Sequence, residues 1–324
     1  MDSNEGGLMN NKLQVGFLMD PIETIHPHTD TTLVFMQEAQ RRGHNIFYFT
    51  LPQLFLKEGI PYGELSPLEM RRGKRFYRLG PKKILPLHEL DRVFMRKDPP
   101  FDNNYLVATY LLERIPPPTL VINNATGLRN ANEKLFPLRF PQLVPEHMVS
   151  SNSQHILQFM NDRGGKIIVK PIDGYGGQGI LRIDKADRNQ HALLELATAD
   201  GTRKILAQRY LPESRQGDKR IILLNGEPIG ALLRIPPADD YRGNLHIGGK
   251  AVKTTITRRD REICETLKPA LRKEGLYFVG IDVIGGYLTE VNVTSPTGVQ
   301  QINRLYNVRL EKQVLRFAED FTRI

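Results

Sequence analysis

The alternation of short apolar strands and amphipathic helices in the first third of the chain restricts its fold more than any other feature. The pattern predicts two strands, LQVGFLM and NIFYFT, and between them a helix, TTLVFMQEAQRRG, closed by Gly43. It predicts two further strands, DRVFMR and TLVINN, separated by the helix NNYLVATYLLERI, which the prolines at 116–118 stop. This order is typical of a parallel sheet with helices on both faces. We therefore expect an α/β domain over residues 13–130.

The pattern changes after about residue 130 and indicates an α+β region. Short strands flank glycine turns, in KIIVK, GILRI, KILAQRYL and RIILLNGEPIGALLRI. A helix over about 258–274, a hairpin over 278–293 and one final amphipathic helix follow. Residues 57–86 are rich in Gly, Pro and basic side chains, and we interpret them as an irregular insertion.

Composition excludes several classes of protein. No apolar run approaches a membrane span, and the N-terminal residues 1–12 have neither the basic nor the apolar region of a secretory signal, so we expect a disordered tail there. The single cysteine, Cys264, lies at helical spacing with apolar residues and is expected in the core, as in a cytoplasmic protein. The net charge of +9 favours anionic partners. Because the basic residues are dispersed, small phosphorylated or carboxylated substrates are favoured over nucleic acid.

Two predicted strands run directly into polar stretches, MDP (19–21) and RKDPPFD (96–102). Ligands of parallel sheets bind beyond the carboxyl ends of strands. Asp20 and Arg96 are therefore candidates for a binding site, although the prolines in both stretches could simply end the strands.

The glycine-rich stretch GYGGQG, from Gly174 to Gly179, follows the strand that ends at Lys170. A dinucleotide fingerprint requires a helix after the glycines, but here ILRID has the alternation of a strand. The lysine of protein kinases follows the glycine loop, and their other motifs are absent, as is the Walker pattern. Backbone N–H groups in a glycine loop can cover phosphates, with Lys170 beneath them. The alternative is a flexible hairpin with a solvated lysine.

The stretch FVGIDVIGGYLTEVNVTSP predicts a hairpin with carboxylates on one face. With a three-residue loop, Gly285 to Tyr287, Ile284 faces Leu288 and Asp282 faces Glu290. Five valine and isoleucine side chains then share the opposite, apolar face: Val279, Ile281, Val283, Val291 and Val293.

Two facing carboxylates repel each other unless a cation lies between them. Magnesium prefers oxygen ligands from one or two carboxylates together with substrate phosphates, and Asn292 can add a carbonyl oxygen to Asp282 and Glu290. Together with the glycine loop and its lysine, this face predicts a nucleoside triphosphate site. A polar surface face with unrelated charges remains the alternative.

These motifs resemble those of the ATP-grasp carboxylate–amine ligases, and within them the bacterial glutathione synthetase family. The resemblance covers nearly the whole chain from residue 12, except the divergent segment 57–86 and the stretch between Arg220 and Arg234. It rests on MDP, FMRKDPPFD, NEKLF, KPIDGYGGQGI, GDKR, LRIPPADDYRGN, GGK, VGIDVIG and LTEVNVTSPTG.

The resemblance implies an ATP-grasp fold behind an N-terminal parallel-sheet (pre-ATP-grasp) domain that binds substrate over 13–130. A lid subdomain with the glycine loop would span 131–211. A catalytic subdomain over 212–324 would contain the metal site and a second lid, the loop 236–250.

The resemblance also assigns roles to residues. Asp282, Glu290 and Asn292 are implied metal ligands for magnesium, with manganese as an alternative. The implied ATP-binding residues are Lys134, Lys170, Gly174, Tyr175, Gly176, Gly177, Gln178, Gly179, Gln208, Arg209, Tyr210, Leu211 and, for the ribose, Asp218. Arg220 and Arg234 would face the acyl phosphate. The implied substrate-binding residues are Asp20, Arg96, Arg242, Gly243, Asn244, Ser295, Pro296 and Thr297.

The implied reaction is the ATP-dependent joining of γ-glutamylcysteine to glycine through an acyl phosphate, by a cytoplasmic homotetramer that needs neither nucleic acid nor a membrane. Two other functions remain open. One is a different ATP-grasp peptide ligase, of the D-alanine–D-alanine or glutamate-adding type. The other is a nucleotide-binding module without catalysis.

Overall fold

The computed structural model describes residues 12–237, 243 and 248–321. Seventeen strands are described, namely β1 (Gln14–Met19), β2 (Asn45–Phe49), β3 (Leu54–Lys57), β4 (Ile60–Met70), β5 (Tyr77–Leu79), β6 (Lys83–Pro86), β7 (Arg92–Arg96), β8 (Leu120–Ile122), β9 (His147–Ser150), β10 (Lys166–Pro171), β11 (Leu181–Asp184), β12 (Ile205–Arg209), β13 (Asp218–Leu224), β14 (Glu227–Ile235), β15 (Lys250–Val252), β16 (Phe278–Ile284) and β17 (Tyr287–Asn292). The α-helices are α1 (Thr31–Arg41), α2 (Asn103–Leu112), α3 (Ala125–Asn130), α4 (Ser153–Asp162), α5 (Gln190–Thr198), α6 (Arg258–Lys273), α7 (Val299–Tyr306) and α8 (Leu310–Asp320). The expected tail, apart from Lys12, and most of the expected lid 236–250 lie outside the described residues.

The first sheet has the order β3-β4-β2-β1-β7-β8, and the four strands β2, β1, β7 and β8 are parallel, as expected from the alternating pattern. The helix between β1 and β2 begins where Asp30 caps it, because the Asp30 carboxylate accepts from the backbone N of Leu33 at 2.7 Å. It ends before Gly43, whose φ of +87° favours glycine. The carboxyl ends of β1 and β7 lie side by side, since Met19 pairs with Arg96.

The segment 57–86 is not irregular, and that interpretation was wrong. It contains the whole of β4, a strand of 11 residues, together with β5 and β6, which both pair with β4. The residues of β4 alternate between buried and more exposed positions on either side of Leu65, where the alternation changes phase. Pairing with neighbouring strands here outweighs the unfavourable strand propensity of Pro61 and Pro67.

The second sheet is antiparallel, with the order β11-β10-β12-β9, and contains the glycine loop between β10 and β11. A strand and not a helix follows the loop, as the sequence predicted. Its core is a hydrophobic cluster of its own, formed by Ile156, Phe159, Met160, Ile167, Val169, Ile183, Leu194, Ala197, Ile205 and Ala207.

The third sheet is antiparallel, with the order β15-β14-β13-β16-β17, and contains the predicted hairpin. Asp282 pairs with Glu290, as expected. However, the loop has two residues and not three, because Ile284 pairs with Tyr287 and Val283 with Leu288. A β-bulge at Thr289 adds the extra residue that restores the Asp282–Glu290 pairing. The five apolar side chains of the other face are all buried in one cluster, as predicted.

The end of the chain is two helices, α7 and α8, and not the single helix expected. Asn307, with a φ of +55°, ends α7. The helix over 258–274 is confirmed as α6, and its Cys264 is buried in the core, as predicted. None of the helices in the described ranges is long and apolar enough to cross a membrane.

The first and third sheets are joined through a buried amide at the end of β8. Asn123 Nδ2 donates to the carbonyl oxygens of Phe278 at 2.8 Å and Val293 at 2.7 Å, and its Oδ1 accepts from Phe278 N at 2.8 Å. One hydrophobic cluster also includes residues from both sheets. The parallel sheet and the hairpin are therefore held in fixed relation.

Candidate functional site

A cleft of about 580 Å³ lies beyond the carboxyl ends of β1 and β7, between the three sheets. Most of the residues that the sequence assigned to phosphate and substrate line this cleft, namely Asp20, Arg96, Lys134, Gly174, Tyr175, Gly176, Gly177, Gln178, Arg220, Arg234, Glu290, Asn292, Ser295, Pro296 and Thr297. Residues far apart in the chain are thereby brought to one surface.

The floor of the cleft contains a buried group of two aspartates and two arginines. Adjacent strands position them, because Arg220 pairs with Asp282 across β13 and β16, and Asp218 pairs with Arg234 across β13 and β14. Four nitrogens lie close to the oxygens of Asp282: Arg220 Nε at 2.6 Å, Arg220 Nη2 at 3.0 Å, Arg234 Nη2 at 2.9 Å and Asn292 Nδ2 at 3.2 Å. Arg234 Nη2 also contacts Asp218 Oδ2. With equal numbers of carboxylates and guanidinium groups, the set is close to neutral.

The two aspartates of this group have opposite pKa shifts. Burial disfavours ionisation of Asp282, but Arg220 and Arg234 outweigh it and hold the pKa of this carboxyl well below its usual range. Burial raises the pKa of Asp218 to about 6, and the charge of Asp282 adds to that shift. Arg234, held between the two carboxylates, has a raised pKa despite its burial and stays charged.

Two buried lysines connect the glycine loop to the cleft floor. Lys170 Nζ, at the end of β10, lies 3.8 Å from Glu290 Oε1, and Lys134 Nζ donates to the carbonyl of Gly174. Gly176 and Gly179 have φ values of +60° and +69°, and a Cβ on Gly179 would lie 2.6 Å from Pro171 Cγ. Glycine is therefore required for this loop conformation. Two ammonium groups beneath backbone N–H groups form a surface suited to phosphate oxygens.

A second cavity of about 80 Å³ lies next to the first, between β10, β12 and the hairpin. Its walls combine apolar side chains such as Ile168 with the segment that the sequence assigned to adenine and ribose, Gln208, Arg209, Tyr210, Leu211, Asp218, together with Gly243. Gln208 Nε2 and Asp218 Oδ1 are buried and find no hydrogen-bond partner among the described residues. Unsatisfied polar atoms in a partly apolar cavity are expected where a polar, planar ligand binds.

Arg96 is buried at the end of β7, where its side chain joins the first sheet to the segment after the hairpin. Its Nε donates to Thr32 Oγ1 at 3.0 Å and its Nη2 to the carbonyl of Pro296 at 3.0 Å. Its guanidinium lies over the rings of Phe35 and Phe278, at 5.7 and 5.5 Å. Burial lowers the pKa of Arg96, and nearby Asp30 and Asp98 oppose that shift. Asp20 pairs instead with Lys97 at 2.9 Å.

Some sequence-assigned residues lie elsewhere, and one feature was not anticipated. Arg242 and Asn244 lie outside the described residues, and Gly179 lines neither cavity. The sequence did not single out Glu133, whose carboxylate lines the first cleft and accepts hydrogen bonds from Val293 and Thr294. Only its position before Lys134 in NEKLF could have indicated it.

The donor set near the hairpin fits a hard divalent cation in part. Glu290 has one distant cationic partner, and the Oδ1 of Asn292 stays available because Nδ2 donates to Asp282. Asp282, in contrast, already receives four nitrogens, which matches the acceptor capacity of a carboxylate. It could join a metal only if one of those donors leaves. Among the described residues, no three His, Cys, Asp or Glu side chains cluster as metal ligands.

Comparison with known proteins gives two family matches that together span most of the chain. Residues 13–129 match the N-terminal domain of prokaryotic glutathione synthetase, and residues 133–307 match the ATP-grasp domain of the same family.

Two individual relatives and one solved structure each align with nearly the whole chain. A glutathione synthetase of Gloeobacter violaceus is 48% identical over 318 residues, covering 96% of this chain and 98% of the relative. That of Thermosynechococcus vestitus is 45% identical over 314 residues, covering 94% and 98%. The solved structure of the ATP-grasp ligase PsnB with its minimal precursor aligns with a TM-score of 0.61 at 17% identity, over 95% of this chain and 98% of that one. At that identity the likeness shows the fold, which is ATP-grasp.

Proposed function

We propose, from the premise that this chain belongs to the prokaryotic glutathione synthetase family, that it joins γ-glutamylcysteine to glycine at the expense of ATP. Membership of this family shows that the protein is an ATP-dependent ligase. The γ-phosphoryl group of ATP passes to the cysteinyl carboxylate, giving an acyl phosphate and ADP. The amine nitrogen of glycine then attacks the acyl carbon. The C–N bond forms, the C–O bond to phosphate breaks with its electron pair, and the proton that the amine loses passes to the departing phosphate.

One observation supports this function best: a single cleft combines a phosphate-binding half with a carboxylate-binding half. Lys134 and the glycine loop form the first half, with Lys170 in the adjoining cavity, and Arg96 lies in the second half. A reaction that brings a phosphoryl group to a carboxylate requires both, since the two anions repel each other.

The residues of the cleft divide the chemistry among them. Arg220 and Arg234 hold their guanidinium groups at the cleft floor, where a planar fork stabilises the oxygens of the acyl phosphate. Lys134 and Lys170 bind the phosphates beneath the loop Gly174–Gly179. Arg96, fixed between Thr32 and Pro296, orients a substrate carboxylate.

The other substrate contacts complete the proposal. Gln208 to Leu211 hold adenine, and Asp218 contacts the ribose. Asp20, Gly243 and the segment Ser295–Thr297 bind the peptide substrates, as we also propose for Arg242 and Asn244.

Glu290 and Asn292 would hold the divalent metal, with Asp282 as a further ligand once one of its four donors leaves. The metal would supply positive charge to the phosphate oxygens. We propose magnesium, with manganese as a substitute.

The proposed organisation follows the family. Residues 13–130 bind substrate, 131–211 form the lid subdomain, and 212–324 form the catalytic subdomain with the loop 236–250 as a second lid. We further propose a cytoplasmic homotetramer.

The test is an assay of phosphate release and of peptide formation with ATP, magnesium and γ-glutamylcysteine, with and without glycine. We expect one phosphate per glutathione formed. D-Alanine and glutamate as alternative acceptors serve as controls for other ATP-grasp ligases. The function is refuted if ATP binds but no peptide appears with glycine.

A further inference from the structure

Glu133 is a carboxylate of the cleft to which the proposed reaction has so far given no role. It precedes Lys134, and its Oε1 accepts from the backbone N of Val293 at 2.9 Å and of Thr294 at 3.1 Å, and from Thr294 Oγ1 at 2.8 Å. No hydrogen bond to its Oε2 is found among the described residues, and this atom is not sealed from solvent. One carboxylate oxygen is thus anchored, and the other is open to the cleft.

Glu133 has no cationic partner at ion-pair distance in the described part of the chain, unlike Asp20 and Glu290 in the same cleft. Among the described residues, no Lys, Arg or His lies within 4.0 Å of it. Asp20 pairs with Lys97, and Glu290 lies near Lys170. Asp30 caps a helix, and burial together with the nearby charge of Glu290 leaves Glu133 with a raised pKa.

Glu133 is half-buried, and a carboxylate removed from much of the solvent without a cation is costly unless a positive ligand arrives. The position of Glu133 limits which ligand that is. It lies beside Lys134, which contacts the glycine loop, and beside the segment that follows the hairpin. In the proposed reaction the phosphates bind under that loop and the peptide substrate against that segment, so the acyl carbon would form close to Glu133. The ammonium group of the incoming amino acid has to approach that carbon.

We propose that Glu133 is the binding site for the ammonium group of the incoming amino acid. This inference rests on the proposed ligation, because it assigns the second substrate of that reaction to a particular carboxylate. The hydrogen bonds to Oε1 fix the side chain, and Oε2 accepts a hydrogen bond from the ammonium group. The nitrogen attacks after this group has released one proton to solvent and become an amine. Glu133 is thus a specificity-determining residue: it favours nucleophiles that arrive positively charged.

Glu133→Gln tests this proposal with little structural change, since the glutamine oxygen can still accept the three anchoring hydrogen bonds. Two nucleophiles are compared, glycine, which is an ammonium ion at neutral pH, and hydroxylamine, which is largely uncharged there. We expect the KM for glycine to rise at least about tenfold, because a charge-assisted hydrogen bond is lost. ADP formation with γ-glutamylcysteine and hydroxylamine should stay within about twofold of the wild type, because it does not need the ammonium site.

A control variant and the wild-type reaction with glycine separate a role of Glu133 in ammonium binding from a structural role. Thr294→Val removes one anchoring hydrogen bond but no charge and should leave the ratio of glycine to hydroxylamine turnover near that of the wild type. Unchanged KM for glycine in Glu133→Gln overturns the proposal, as does an equal loss with both nucleophiles, which would indicate a structural role. If the wild-type protein forms no peptide with glycine, the proposed ligation itself fails, and this outcome is seen before any variant is compared.

Discussion

Replacing Asp282 is expected to destabilise the protein, whereas replacing Glu290 is not, although both carboxylates belong to the same face of the hairpin. Asp282 is only 3% exposed, and its two oxygens receive nitrogens from Arg220, Arg234 and Asn292. Asp282→Asn keeps the shape but removes the charge, so two buried guanidinium groups share the single carboxylate of Asp218.

The expected magnitude follows from that count of charges. Removing one partner of a buried ion pair costs about 3–5 kcal/mol. Within the described ranges Glu290 pairs with Lys170 alone, at 3.8 Å, near the limit of an ion pair, and its side chain keeps 18% of its exposure. Glu290→Gln should therefore cost less than about 1 kcal/mol. Both variants should lower turnover. Asp282→Asn disturbs the two arginines at the cleft floor, whereas Glu290→Gln removes a proposed metal ligand.

Urea unfolding followed by far-UV circular dichroism measures the difference, since the chain has no tryptophan for fluorescence. The pKa of Asp282 is lowered in the folded protein, so its stabilisation is present above the unfolded pKa and is lost as pH falls through the folded value. The gap between wild type and Asp282→Asn should hold near neutral pH and close only in strong acid. Equal stability of the two variants at pH 7 would refute this account of the buried charges.

Two further outcomes concern single groups. The folded pKa of Asp218, about 6, exceeds its ordinary value of 3.8, so the contribution of Asp218 to stability is greatest below 3.8 and is lost as pH rises through about 6. In urea unfolding, Asp218→Asn should lack this part of the pH dependence. Identical pH profiles for the variant and the wild type would contradict the raised pKa. Burial raises the pKa of Cys264 to about 12, so a thiol reagent at pH 8 should leave the native protein unmodified and modify one thiol per chain in urea, and rapid modification of the native protein would show the burial to be wrong.

The hairpin shows how far local pattern can predict this fold. The alternation of valines with Asp282 and Glu290 was enough to place the two acids opposite each other and the valines in the core. It could not separate a three-residue loop from a two-residue loop with a bulge at Thr289, because both arrangements place Asp282 opposite Glu290 and keep the five valine and isoleucine side chains on the apolar face. Only Leu288 changes face, and it pairs with Val283 in the core.

Elsewhere, prediction from the sequence was limited because strands pair with neighbours from distant parts of the chain. β4 was missed because Pro61 and Pro67 are unfavourable in strands, and only pairing with β2, β3, β5 and β6 stabilises it. The contact of Arg220 with Asp282 depends on β13 lying beside β16, which no local pattern encodes. Lys170 and the glycine loop could be placed next to each other from the sequence because they are contiguous, and their role toward phosphate stays a prediction.

The separate hydrophobic core of the glycine-loop sheet has a consequence for how the cleft is held shut. The side-chain contacts described between this sheet and the cleft floor are polar: Lys170 with Glu290, and Lys134 with the carbonyl of Gly174. Breaking them divides no hydrophobic cluster. Because both lysines are buried, dissolved ions screen these two contacts only weakly. The two sides of the cleft are thus joined by a few polar contacts that could separate without exposing a shared apolar core.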